Sequence, residues 1–464
     1  MRNVVRRRPV LAIAAVAVVA ALAVGIAGTA RGNSNARAGA RAAVDSVPPQ
    51  KQAAKQVGNI TLTILDQELT PAGKVEFPQL IASFQKQYPN IKVKRLTKDF
   101  TSLTSNETLL LAGSHVPDAV ETDESYANQG RLAKAKLLVP LDKYVKAWGW
   151  KKRTSAGLLA CCRVQPTGKG LGTGPFYGFP ANAQYVGVYY NAKLLRKLGL
   201  KPPSTKAEFE AALAKAKANG IVPIIGSGAD HDLVWWGFYA AMGMNAPADQ
   251  IRQALLGQGT KGFDTPQMVA AAAQLASWGK KGYFQPGFSG VTSDSTTVDF
   301  NKGKGLFYFE GTWDLGAFKD NPDIGFMPEP GMKAEAPRTG IDAAGQPWGI
   351  PSKGQHELAA ALWIDWISNP IHFKTFVNAG DLPIGPIDTS KMKLAKVVSD
   401  GLAAGGYMTK NNTSLPFFWA IPGAQNYWQG AGAGILSGHV SPQDFVKGMQ
   451  SSWKQDVAQY GGSK

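Results

Sequence analysis

The chain has 464 residues, 44% of them hydrophobic and 10% aromatic, and a formal net charge of +17. That length supports two or three domains and a large buried core. Nine Lys/Arg and one acid fall within residues 1–56, so +8 of the charge sits at the start and +9 in the remainder. No basic stripe interleaves with aromatics, which argues against a nucleic-acid surface; the remaining charge suits an anionic ligand or a solvated basic face.

Arg2, Arg6, Arg7 and Arg8 precede an apolar or small run from Val10 to Ala30. A basic region before an apolar one predicts an export signal over residues 1–30, with Gly28-Thr29-Ala30 offering small residues to a peptidase. Left uncut, the run is long enough to anchor in a bilayer. No Cys lies near it for lipid attachment. Residues 31–57, rich in Ala, Arg, Gly, Gln and Ser without an apolar period, are expected to form a disordered tether.

Ile60, Leu62 and Ile64 alternate with Thr61 and Thr63, which predicts a strand ending at Asp66-Gln67-Glu68. Phe77, Leu80, Ile81 and Phe84 then recur at helical spacing until Pro89-Asn90, and Ile91 and Val93 open a second strand. This β-loop-α-β opening is an α/β signature. Leu109 to Gly113 ends a helix, Asp118 to Val120 reads as a short buried strand, and Glu121 to Tyr126 as its polar exit. The chain's two cysteines, Cys161-Cys162, leave two alternatives, a strained vicinal disulfide or two thiols.

Tyr185 to Tyr190 is rich in β-formers and Asn191 to Leu198 turns helical until Pro202-Pro203. Thr205 and Glu208 make a capping box for a helix with Phe209, Ala212, Leu213 and Ala216 on its apolar face, ended by Gly220, with a strand from Ile221 to Ile225. Further strands are expected at Leu306–Phe309 and beside Trp348. Ala359, Leu362, Trp363 and Trp366 at helical spacing put both tryptophans in a core. Ser441 caps a last helix with Phe445 and Met449 inward. Gly170 to Gly174 is a loop.

Neither a Gly-x-Ser-x-Gly elbow, a His-Glu-x-x-His pair nor a phosphate loop occurs, and five scattered His offer no metal set. No cofactor, metal or catalytic residue is expected. Aromatic and carboxylate or amide side chains do recur at the expected strand exits: Asp66-Gln67-Glu68, Asp123 to Tyr126, Gln184-Tyr185, Trp235-Trp236, Glu310 to Trp313, Trp348 and Tyr427-Trp428. Sugars present apolar C–H faces between hydroxyl rims, so aromatic faces and polar oxygens together suit them. Open α/β sheets place ligands outside the carboxyl ends of their strands.

In order along the chain, FQKQYPNIKVK (84–94), PDAVETDESYANQGRL (117–132), VPLDKY (139–144), FPANAQYVGVYYNAKLL (179–195), FNKGKGLFYFEGTW (300–313) and ALWIDWISNP (361–370) resemble the extracellular solute-binding proteins of ABC importers, in their maltose-binding-protein-like sugar group. The resemblance spans roughly residues 58 to 460. It implies an α/β, two-lobed periplasmic-binding-protein-like fold of type II with hinged lobes and an interlobe cleft. The first lobe would comprise 58–183 and 315–368, the second 184–314 and 369–464, with crossings near Pro180–Gln184 and Gly311–Leu315. It places sugar-stacking rings at Trp313 and Trp428, a polar ligand at Gln184, and hydrogen-bonding loops at Asp66–Glu68 and Thr122–Glu124. Where relatives often carry Trp in the second loop, Glu121-Thr122 stands here.

The ligand-binding set expected on both grounds is Asp66, Gln67, Glu68, Asp123, Glu124, Gln184, Tyr185, Trp235, Glu310, Trp313, Trp348 and Trp428. The implied function is an exported, monomeric carbohydrate receptor that captures a mono- or oligosaccharide and hands it to ABC permease subunits. The alternatives are a secreted glycoside-processing enzyme and a sugar-sensing receptor without transport.

Overall fold

Alternation along Ile60–Asp66 (β1) buries Leu62 and Ile64, and the strand is the centre of the first sheet. The structure is a computed structural model that describes residues 47–167, 170–343, 345–417 and 422–460; the expected export signal lies outside them. Ile91–Thr97 (β2) and Ala119–Glu121 (β3) flank β1 in parallel, with Ile60 opposite Ile91 and Ile64 opposite Ala119. Trp348–Gly349 (β9) closes the sheet antiparallel to β3. The helix Gly73–Gln87 links β1 to β2 and buries Phe77, Leu80 and Phe84 against the helix Glu357–Ile367, where Trp363 meets Phe84 edge-on at 5.4 Å. Inside this core Arg153 pairs with Asp365 at 2.6 Å, and the Trp150 indole donates to the same carboxylate.

Asn182–Asn191 (β4) organises the second sheet. It pairs antiparallel with Phe307–Gly311 (β6), Ile324–Met327 (β7) and Gly340–Ala343 (β8). Ile224–Ile225 (β5) and Ser414–Pro416 (β11) extend the sheet on its two sides, and Leu382–Pro383 (β10) pairs with the start of β4. Because side chains alternate across a strand, Val186, Val188 and Tyr190 face one core while Tyr189 faces another with Tyr308, Phe318 and Phe326. The capping box at Thr205 is formed as expected, starting the helix Lys206–Ala218 with Phe209, Ala212, Leu213 and Ala216 buried. The final helix, Pro442–Tyr460, points Phe445 and Met449 inward.

Several expectations are corrected. The tether stops short of Val57: Gln50–Val57 is a helix with Ala53 and Ala54 buried in the first core, and Asn90 Nδ2 donates to the carbonyls of Ala54 and Gly58. Residues 315–343 lie in the second half of the fold, since β7 and β8 both bond to β4. Conversely, Phe373, Phe376 and Ile384 belong to the first core. Along β4 and the residue before it, Ala181 and Ala183 pack in the first core and Val186 and Val188 in the second. The chain returns between Ile341 in the second core and Trp348 in the first, rather than at Gly311–Leu315, which stays with the second sheet. Of the two alternatives left for the cysteines, the vicinal disulfide is excluded, since Cys162 is a free, fully buried thiol. Trp363 is in the core, but Trp366 is only half-buried, bonded through its indole to Ser83. Among the described residues no helix is long and apolar enough to cross a membrane.

Candidate functional site

Parallel pairing of β1 with β3 sets the C-terminal ends of both strands side by side, so two of the expected loops meet. The Gln67 amide donates to Glu121 Oε2 at 2.8 Å. Asp66, with no exposed surface, is gripped at both oxygens by the Arg95 guanidinium at 2.7 Å, and Arg95 lies over the Phe77 ring. The fork geometry matches the carboxylate and compensates its burial. Asp66 is thereby committed to Arg95 and to the Glu68 amide.

Glu68 follows, 4% exposed, over Gly73, where an added Cβ would sit 2.8 Å from Glu68 Oε2. Burial, then the charges of Asp381 and Asp66, push the Glu68 carboxyl up to about 8. Burial and the Glu68 charge likewise raise Glu121 well above the usual carboxylate range. Glu76, wholly buried one helical turn below, is raised by burial and by Asp381. Asp381 itself accepts from Asn182 Nδ2 at the foot of β4. These carboxyls surround the Arg95 guanidinium, and burial with their mutual charge raises Glu68, Glu76 and Glu121 above the usual carboxylate range.

The adjoining loop is internally braced. Asp123 accepts from Ser125 Oγ at 2.8 Å and Asn128 Nδ2 at 2.6 Å, and Glu124 is buried beside it. Thr122 Oγ1 donates to the Pro347 carbonyl. Trp348 does not join these groups in any accessible space. It has no exposed surface and stacks on Phe77 at 5.9 Å and against Trp363 at 5.8 Å, because β9 carries it under the helix Gly73–Gln87. Its expected ligand role is therefore withdrawn.

In the second lobe the aromatic group differs from the expected one. Trp313 follows β6 in the turn Thr312–Asp314 and is half-buried, its ring folded over Gly311, where a Cβ would collide with it. Its neighbours are Trp236 at 6.0 Å and Phe417 at 6.4 Å. Trp236 comes from the helix Asp232–Gly243 and its indole N–H, though buried, has no hydrogen-bond partner among the described residues. Trp235, the residue singled out from the sequence, turns the other way and stacks on Trp428 at 5.1 Å. Trp428 has no exposed surface: Trp235, Phe238 and Tyr239 surround it, leaving no face for a sugar. Its expected stacking role is withdrawn on the same ground.

Three carboxyls stand on the segments that carry Trp313 and Trp236, Glu310 in β6, Asp314 next to Trp313 and Asp232 one turn before Trp236. Glu310 is 2% exposed and accepts from the Tyr308 hydroxyl and the Gly311 amide. Asp314 accepts from Thr297 Oγ1 at 2.5 Å and Asp232 from the Ser293 hydroxyl. Burial pushes both aspartates up to about 7. Gln184 and Tyr185 occupy β4 just where it leaves the first core; the Tyr185 amide donates to Thr312 Oγ1, tying the crossing strand to the Trp313 turn, and its ring lies against Gly405. Sequence reasoning passed over Asp232, Asp314 and Phe417, and of the Trp235-Trp236 pair it placed Trp235 rather than Trp236 in the ligand set. The i, i+4 spacing of Asp232 and Trp236 and the direct adjacency of Trp313 and Asp314 were the available signals.

Residues 79–405 match the family of bacterial extracellular solute-binding proteins. Over 274 residues the chain is 28% identical to an uncharacterized ABC transporter extracellular-binding protein of Pyrococcus horikoshii, covering 56% of this chain and 58% of that one. A second such protein from the same organism is 24% identical over 364 residues, 71% of this chain and 74% of that one. The chain thus spans a little over half the length of the first relative. Among solved structures, a chitin oligosaccharide binding protein superposes with a TM-score of 0.72 at 19% identity, over 86% of this chain and 99% of that one. The GacH receptor of Streptomyces glaucescens, solved unliganded and with acarbose, superposes with a TM-score of 0.69 at 18% identity, over 86% and 99%.

Proposed function

Because the chain belongs to the bacterial extracellular solute-binding proteins, we propose that it is the carbohydrate receptor of an ABC importer, capturing a mono- or oligosaccharide between its lobes and passing it to membrane permease subunits. The family match carries this reading, and the match in fold to proteins named for a chitin oligosaccharide and for acarbose supports it. The receptor acts as a monomer, binds no nucleic acid and returns its ligand chemically unchanged. Residues 1–30 direct its export.

The two walls divide the work. On the first lobe, Gln67, Glu68, Asp123 and Glu124 stand at the exits of β1 and β3 and take sugar hydroxyls as hydrogen-bond partners. Asp66 holds Arg95 and shapes that wall. On the second lobe Trp313, with Trp236 and Phe417 behind it, covers an apolar sugar face, while Glu310 and Gln184 fix the turn and the crossing strand. Trp235 backs this group through its neighbour Trp236 and steadies Trp428. A ligand that touches both walls only when they approach shifts the population towards the closed form, which the permease would then recognise.

A thermal-shift screen of the protein against a broad saccharide library tests the reading. A ligand at one hundred times its Kd should stabilise the native state by about 2.7 kcal/mol and raise the melting temperature accordingly. A library without a single stabilising saccharide contradicts it.

A further inference from the structure

We propose that the saccharide taken by this receptor is cationic, an amino sugar or aminoglycoside, with its ammonium held at the second lobe by Asp232 and Asp314 beside the Trp236–Trp313–Phe417 group. The inference rests on the receptor reading above and names its substrate class.

The first observation is the distribution of counter-charges. The chain carries a large excess of basic residues. Yet among the described residues the ion pairs within 4.0 Å go to other acids, and none reaches Glu68, Glu121, Asp123, Asp232, Glu310 or Asp314. The charges acting on Asp232 are those of Asp230 and Asp314, and on Glu310 those of Asp232 and Asp314. Gathering these carboxyls without a cationic partner favours their protonated forms. An ammonium can take the place of those protons, and a neutral sugar cannot.

The second observation is what surrounds them. Asp232 and Trp236 stand four residues apart on one helix and so on one face. Asp314 follows Trp313 directly in the turn after β6. Indole is the strongest cation-attracting ring, and an ammonium between tryptophan faces and carboxylates gains from both. Each aspartate spends one oxygen on a hydroxyl, from Ser293 or Thr297. Glu310, with both oxygens engaged by Tyr308 and Gly311, contributes its field rather than a contact. The buried Trp236 N–H, without a partner among the described residues, supplies a donor that an acceptor on the same ligand would satisfy. An ammonium between them supplies donors to the aspartate oxygens that Ser293 and Thr297 leave open.

Isothermal titration calorimetry on the full chain tests this with matched ligands. Glucosamine, galactosamine, chitosan oligosaccharides and aminoglycosides are compared with glucose, galactose, N-acetylglucosamine and chitin oligosaccharides. The amino ligand of a matched pair should bind at least about tenfold more tightly, as expected for hydrogen bonds between charged partners. That preference should weaken as salt is raised and disappear in an Asp232→Asn/Asp314→Asn variant whose melting curve shows it folded; if the variant does not fold, the wild-type comparison decides alone. Neutral saccharides binding as well as or better than their amino counterparts overturns the inference and leaves the receptor reading intact. Binding of no saccharide of either kind overturns both, and a preference that survives in the folded variant overturns the assignment to these aspartates.

Discussion

Replacing Trp313 with Ala separates ligand contact from core packing. Trp313 is half-buried and rests on Trp236 and Phe417, so one part of the indole still faces outward. If roughly 50 Å² of ring and a similar area of sugar are covered on binding, about 25 cal/mol per Å² gives ~2.5 kcal/mol. Allowing for loss of the surrounding order, Trp313→Ala should weaken the saccharide by about 1–3 kcal/mol, the range of moderate anchors. Calorimetry measures this directly. Trp428→Ala is the counterpart. That ring has no exposed surface and is packed among Trp235, Phe238 and Tyr239, so its removal leaves a cavity costing about 3–5 kcal/mol of stability. The unliganded melting temperature should therefore drop sharply in Trp428→Ala and little in Trp313→Ala. Unchanged affinity in Trp313→Ala, or an unchanged melting temperature in Trp428→Ala, would refute the division of roles drawn from burial.

Further outcomes are expected. Glu68 holds its proton up to about 8 in the fold, chiefly through burial, against a reference of 4.5, and Asp232 and Asp314 behave alike at about 7 against 3.8. The folded state binds more protons than the unfolded one across these windows, so stability falls as pH rises through them. The unliganded protein should melt higher at pH 6 than at pH 8, and Glu68→Gln should flatten that slope; a melting point that climbs with pH contradicts the carboxyl assignments. Arg95→Met strands the wholly buried Asp66 carboxylate and should cost about 3–5 kcal/mol in denaturant unfolding. A loss within the error of the extrapolation would show that Arg95 is not its essential partner.

Elements whose pattern is local were legible in the sequence. The two-residue period of Ile60–Asp66 and the Thr205–Glu208 capping box each carry their own cause, and each is found where expected. The helix Asp232–Gly243 was not legible, because it is buried nearly all round and shows no amphipathic period, and with it went Asp232 and the choice between Trp235 and Trp236. Lobe membership of 315–343 depended on which strands bond to β4, a long-range pairing that no local spacing encodes. The tryptophans show the same limit. Trp313 and Trp348 follow polar or Gly-rich turns and Trp428 sits within the helix Pro422–Ser437, yet only tertiary neighbours decide that the first keeps an outward face and the other two have none. The carboxyl run on the first wall was visible as a composition, but its single guanidinium partner, Arg95, comes from a neighbouring strand.

Small-angle X-ray scattering of the protein with and without a saturating saccharide found in the screen bears most directly on capture by approaching lobes. The radius of gyration should fall on binding and recover when the sugar is dialysed out, with the sugar returned intact by mass spectrometry. Scattering that does not change at saturation, or a sugar returned in pieces, would contradict a receptor that closes on its ligand and releases it unaltered.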